Sequence, residues 1–265
     1  MPEISGEHLE QLSGAVRLLE SPAFAIKLAN YIGAPVEHLL AAMPEGISVA
    51  VRKATGVAIH KALHAALKTM PKGNGHSPAK RLHKVGVGLS GGIGGFFGLA
   101  SLAVELPIST TIMLRSIAAI AKSEGEDLVD PAAQLACIEV FALGGKSASD
   151  DASDTSYYAI RAALARTVSE AASFIAERGL AVEGAPPIVR FIAQIAARFG
   201  IVVSEKVAAE MVPIAGAAGG AAVNLMFLDY FQKVASGHFV VRRLERVYGR
   251  EAVEAHYERL RAELG

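Results

Sequence analysis

Apolar positions recur at helical spacing from one end of the chain to the other, and no segment alternates apolar and polar residues over the length of a strand. Leu9, Leu12, Val16 and Leu19 fall on one helical face, after which Ser21 and Pro22 supply an N-cap and a first-turn proline for a second helix to residue 29. Gly33 to Pro35 interrupts it, a short helix ends before Pro44, and residues 47–70 read as a long helix. Pro71 to Pro78 is the clearest loop of the first half. Further on, Pro107 opens a helix to about residue 122, and Asp130-Pro131 caps one that ends at Gly144-Gly145. Helices are also expected over 157–177, 186–210 with a bend at Gly200, 229–248, and 251–264. The pattern predicts an all-α multi-helix bundle forming a single domain over 1–265, with the serine- and aspartate-rich stretch 146–156 as its hinge.

Two segments, 85–104 and 211–228, depart from this amphipathic pattern because neither carries a charged residue and both are rich in glycine. The first holds seven glycines, each costing helix stability roughly 1 kcal/mol relative to alanine, so helicity there needs a compensating contact. Small residues four apart, as in Gly88-Gly92, Gly91-Gly95 and Gly216-Gly220, let neighbouring backbones approach closely. The expectation is two glycine-rich apolar helices packed centrally. The first is long enough to cross a hydrocarbon core and the second nearly so, which leaves a buried hairpin and a membrane contact as alternatives.

Charge sharpens the second alternative. The net charge is zero, yet no Asp or Glu occurs between Glu45 and Glu105, while Glu124, Glu126, Asp127 and Asp130 make the following stretch acidic. Lys80, Arg81 and Lys84 stand immediately before the first glycine-rich segment, where they would meet anionic lipid headgroups. Arg242 and Arg246 share a helical stripe and are a second set of candidate lipid contacts. Nucleic acid is not expected, because no aromatic residue lies among the basic positions to stack on bases. The start of the chain lacks a basic region followed by an apolar one, so a cytoplasmic protein at the inner face of a membrane is expected. The single cysteine, Cys137, allows no internal disulfide and reads as a buried thiol.

A few polar residues sit in apolar surroundings. Glu139 is the one charged residue between Asp130 and Lys146, and His238 falls in step with Phe231, Val234 and Val241, so both should point inward. Arg115 or a histidine would partner the glutamate, and Glu105 and Asp229 end the two glycine-rich segments. Glu105, Arg115, Glu139, Asp229 and His238 are thus a candidate buried network, either holding helices in register or lining the cavity of a soluble enzyme or ligand-binding protein. The spacing lacks the Glu-x-x-His pattern of a bundle metal site, and His60 and His64 read as surface residues, so no metal or cofactor is assigned. The glycines lack the lysine-serine ending of a phosphate-binding loop, and no catalytic residue is assigned.

The run from Glu105-Leu106-Pro107-Ile108 to Ala118, with Gly125-Glu126-Asp127-Leu128 and Cys137 to Gly145, resembles the EcsC protein family. So do Pro213 to Ala217, Asn224, His238-Phe239 and Arg242-Arg243-Leu244-Glu245. EcsC-like proteins are bacterial proteins without an established biochemical activity, named for an operon that also encodes an ABC transporter. The resemblance implies a membrane context and an adaptor role for such a transporter as one alternative. It carries over no active site.

Overall fold

A computed structural model describes residues 4–21, 24–69, 98–145, 156–178, 184–212 and 217–264. These form ten helices and no strand: α1 (Gly6–Leu19), α2 (Phe24–Ile32), α3 (Val36–Ala41), α4 (Glu45–Thr69), α5 (Gly98–Ser123), α6 (Pro131–Leu143), α7 (Tyr157–Arg178), α8 (Pro186–Glu210), α9 (Ala217–Tyr248) and α10 (Arg250–Ala262). Hinge residues 146–155, the loop 71–78, the cations Lys80, Arg81 and Lys84, and most of the first glycine-rich segment lie outside the described residues.

The centre of the bundle is α6. Asp130 caps it by accepting the Ala132 N–H at 2.9 Å, Pro131 occupies the first turn, and every residue from Ala133 to Leu143 is buried. A helix apolar all round can be stable only when neighbours cover every face, and α5, α7, α8, α9 and α4 do so here. Phe141 stacks into an aromatic cluster with Phe199 of α8 and Phe231 of α9, which Phe227 and Phe24 extend.

The expectation of two central glycine-rich helices falls mainly on residues 85–97 and 213–216, which lie outside the described residues. Among the described residues close backbone approach occurs at the end of α6 and within α9. A methyl group at Gly145 would stand 2.3 Å from the Arg198 carbonyl oxygen, one at Gly144 would strike the Phe231 ring, and one at Gly237 would meet Leu19 of α1. Gly220, by contrast, has nothing within 4 Å of its side-chain position.

Two expected boundaries are also absent. The helix α5 continues through Pro107, because the carbonyl of Ala103 that the proline deprives of a donor lies on an exposed turn where water can serve it. Likewise α9 passes Asp229 without a break, since that carboxylate faces outward and pairs with Lys233 one turn on, at 2.7 Å.

The α5 and α9 helices run parallel in register. Gln232 Nε2 donates to Ser116 Oγ at 2.7 Å, and in the turn just past the end of α5 Glu126 Oε1 accepts from Arg242 Nε at 2.9 Å, with the same sequence offset of 116 residues. Residues of α5 therefore lie near the level of those about 116 positions later in α9. Ile108 is level with Asn224 and Leu225, and Arg115 with the stretch around Phe231.

Candidate functional site

Polar chemistry is concentrated where α7, α9, α10 and α6 meet. Arg161 of α7 forms a two-pronged pair with Glu245 of α9, Nη1 to Oε1 at 2.7 Å and Nη2 to Oε2 at 3.0 Å, with both side chains 11% exposed. Tyr158 adds a hydroxyl donated to Glu245 Oε1 at 2.9 Å. Arg161 also donates to the Tyr157 hydroxyl oxygen at 3.1 Å, leaving the phenol proton to bond His238 Nδ1 at 3.0 Å. That assignment puts the imidazole proton on Nε2, which is buried with no hydrogen-bond partner among the described residues. From α10, Tyr257 stacks on Tyr157 and donates to Glu20 Oε1 at 2.7 Å, and the same oxygen accepts the Tyr157 N–H.

Burial sets the protonation of this cluster. It holds His238 well below the usual imidazole range, and the nearby positive charges of Arg161 and Arg242 push the same way, so the ring is neutral. Burial also raises the Glu139 carboxyl, opposed by Arg161 and Arg242, and raises the phenols of Tyr157, Tyr158 and Tyr257. The structure thus places Glu139 and His238 in the field of the same two arginines. A neutral imidazole, un-ionised phenols and a matched ion pair lock helices together, and none of them is an activated nucleophile.

The other three expected members go elsewhere. Arg115 and Asp229 are at the surface, corrected from the buried network: α5 turns position 115 outward, and Asp229 is held outside by Lys233. Glu105 lies at the far end of the bundle with Lys206 of α8, whose ammonium is almost fully buried and pairs with Glu105 at 3.0 Å and Glu210 at 2.9 Å. Burial pulls Lys206 down, but the charges of Glu210 and Glu105 outweigh it and keep it protonated. The neighbouring Glu205 is buried beside them, accepts from the backbone of Ala25, and has its carboxyl pushed up to about 8 by burial and the charge of Glu37.

Arg242 and Arg246, expected as lipid contacts, both bond the buried carboxylate of Glu126, and Arg246, its side chain 41% exposed, also donates to the Glu124 carbonyl. Burial pushes Glu126 up, yet the hydrogen bonds and charges of the two arginines win and hold it below the usual carboxylate range. A shallow groove of about 450 Å³ between α5 and α9, lined by Ser116, Ser123, Gln232 and Lys233 among others, opens on the face of α9 away from His238. Among the described residues no three His, Cys, Asp or Glu side chains converge on a point where a metal would sit.

The two ends of the bundle differ in chemistry. At one end lie the Arg161–Glu245 and Arg242–Glu126 pairs. At the other, Lys206 lies over the Phe227 ring and ties together the start of α5, the end of α8 and the start of α9, while Phe24 of α2 packs on Phe227 and Tyr230. On these converging segments Ile26, Val104, Ile108, Met211 and Leu225 are exposed, Val104 by 63%. Both glycine-rich segments lead into this end. Among the described residues two helical stretches, Leu102–Ser123 and Pro186–Glu210, are long and apolar enough to cross a membrane, and only 39% and 33% of their most apolar windows are buried. Fully buried core helices would show far larger shares, as α6 does.

A profile of the EcsC protein family matches residues 26–244. The chain belongs to the EcsC protein family. The EcsC match takes in most of the apolar end, including Glu105, Lys206 and Phe227 but not Phe24, together with Glu139, Tyr157, Arg161 and His238. It stops short of Glu20, Glu245 and Tyr257, which complete the polar cluster from outside the matched range. Neither the curated proteins nor the solved structures yield a match to this EcsC chain.

Sequence reasoning found Glu139 and His238 but missed Tyr157, Arg161, Glu245 and Lys206. Arg161 and Glu245 sit in helices full of other charges, so nothing local marks them as buried. Lys206 did carry a signal: it interrupts an apolar stretch with Glu205 beside it and Glu210 one turn on.

Proposed function

We propose that this EcsC protein is a non-enzymatic, membrane-associated helical protein that docks on a bilayer through its apolar end. The observation that carries the reading is the matched height of the exposed apolar residues on α5 and α9. Val104 and Ile108 precede Arg115 on α5, Leu225 precedes Asp229 and Lys233 on α9, and the register of the two helices sets both changeovers at one level. Val104 and Ile108 are separated by roughly 6 Å along the helix axis, the depth at which interfacial elements bury their apolar face. Such a band suits shallow docking. A full crossing would carry Arg115 and Lys122 into the hydrocarbon, at a cost of a few kcal/mol each.

Flotation of the purified protein with vesicles tests this. The wild-type chain is expected to float with the vesicles, and Ile108→Asp or Leu225→Asp to weaken partition by roughly tenfold each, since both the apolar gain is lost and a carboxylate must be desolvated. Recovery of the wild-type chain entirely in the unbound fraction refutes the docking.

A second reading, a ligand-binding protein built on the polar cluster, is favoured by one observation: the orphan Nε2 of His238, a buried donor among the described residues. Mass spectrometry of the protein extracted under denaturing conditions tests it. A small molecule released from wild type and absent from Glu139→Gln and His238→Ala supports that reading, while release of nothing, with the variants altered only in stability, rejects it.

A further inference from the structure

The outer face of α4 carries several exposed cations with no carboxylate partner among the described residues. Its inner face is apolar and fully used: Val51, Ala58, Ile59, Ala62 and Leu63 are buried, chiefly against α5 and α8. The residues left outside fall at helical spacing on one stripe, with Arg52, Lys53, Lys61 and Lys68 exposed and Val49 and Val57 exposed among them. After Glu45 in the first turn, the helix holds no acidic residue.

The cations of the polar cluster and of the apolar end are paired: Arg161, Arg242, Arg246 and Lys206 each have a carboxylate partner within the protein. None of the four α4 cations has one among the described residues, although the chain carries as many acidic side chains as basic ones. Four cations and no acidic residue on one helix face give it a positive potential that attracts an external anionic surface.

We infer that the outer face of α4 binds the anionic headgroups of a phospholipid bilayer, so that docking by the apolar end selects membranes by charge. This rests on the docking reading above and adds the lipid class to it. A lipid surface fits better than a soluble polyanion because Val49 and Val57 interrupt the cations with exposed apolar side chains, which gain from an interface that has hydrocarbon beneath its charge. The stripe also carries no Phe, Tyr or Trp on which nucleic-acid bases would stack, and the rings of His60 and His64 on the same face lie against each other, centroids 4.5 Å apart.

The test compares the full-length wild-type chain with the variant R52Q/K53Q/K61Q/K68Q on vesicles of phosphatidylcholine alone and of phosphatidylcholine mixed with phosphatidylglycerol. The four positions are exposed and unpaired, so the variant is expected to keep the wild-type helix content and melting temperature. Arg52 and Lys68 stand roughly 24 Å apart along α4, more than two Debye lengths at physiological salt, so a bundle docked by its end brings only part of the stripe to the headgroups. At about fivefold per cation held there, the quadruple variant is expected to lose roughly five- to twenty-five-fold on the mixed vesicles at that salt and little on the neutral ones. Wild-type binding should also fall steeply as salt is added.

Equal binding of wild type to both vesicle types, unchanged in the variant, overturns the headgroup assignment while leaving the docking reading intact. Wild-type protein that binds neither vesicle refutes the docking reading itself. Retention on heparin without vesicle binding, abolished in the variant, assigns the α4 face to a soluble polyanion and overturns the inference.

Discussion

Replacing Glu245 by alanine is expected to destabilise the protein severely, although the residue lies near the end of α9 and outside the densest packing. Its carboxylate takes two hydrogen bonds from Arg161 and one from Tyr158, at 2.7, 3.0 and 2.9 Å. Both partners of the ion pair are 11% exposed, so solvent screens them little and the surface value of under 1 kcal/mol does not apply. Truncation leaves the Arg161 guanidinium buried without a counter-charge, which costs about 3–5 kcal/mol. For a chain of this size that corresponds to a fall in melting temperature of about 10 °C. Urea denaturation with an unchanged slope should give the same loss as a shift in midpoint. The control is Arg161→Met with Glu245→Leu, which removes both charges and is expected to come within about 2 kcal/mol of wild type. A strongly non-additive cycle follows. If Glu245→Ala lowers the melting temperature by less than about 2 °C, or if the two single changes simply add, the pair is not the buried lock described here.

Three further outcomes follow from the same structure. Glu205→Gln should change how stability depends on pH: with the folded carboxyl at about 8 and an ordinary glutamate at 4.5, the native state holds the extra proton between those limits, so wild-type stability falls as pH rises through that window. The variant lacks this slope and should be the more stable of the two above about pH 8, with the gap closing toward 4.5; a gap independent of pH contradicts the assignment. Tyr157→Phe strands His238 Nδ1 and one bond of Arg161, for a loss of about 1–3 kcal/mol by denaturant titration, and a neutral result would show that the phenol is not the bridge. Gly145→Ala should unfold the end of α6, since its methyl would overlap the Arg198 backbone, whereas Gly220→Ala should stabilise α9 by up to about 1 kcal/mol, because nothing stands near it. Thermal melts of the two variants moving in the same direction would contradict this contrast.

Helix content and most boundaries were legible because capping chemistry is local: Asp130-Pro131, Gly144 and the left-handed Gly249 at φ 85° act on their immediate neighbours. The run through Pro107 was not legible, because it depends on which turn of α5 faces water, a property of the assembled bundle. The same holds for glycine. Tight backbone contact is a tertiary event, and among the described glycines it falls on those at 144, 145 and 237. Glu139 and His238 stood out because each is a polar residue in an apolar stripe. Arg161 and Glu245 did not, since burial of one charge by pairing with another 84 residues away leaves no local trace. The same blindness hid the partner of Arg242 and Arg246, because Glu126 lies 116 and 120 residues earlier in sequence.

The most direct test of the central claim is the environment of a fluorophore placed by cysteine substitution. The single native thiol, Cys137, is buried, and burial pushes its pKa far up, so it does not compete for label. An environment-sensitive dye at Val104 or Leu225 is expected to shift to the blue and become shielded from aqueous quencher when anionic vesicles are added, while the same dye at Val247, equally exposed but at the ionic end, stays in water. Labels at 104 and 225 that remain accessible to quencher on vesicle-bound protein, or a label at 247 that is shielded in their place, would contradict docking by the apolar end.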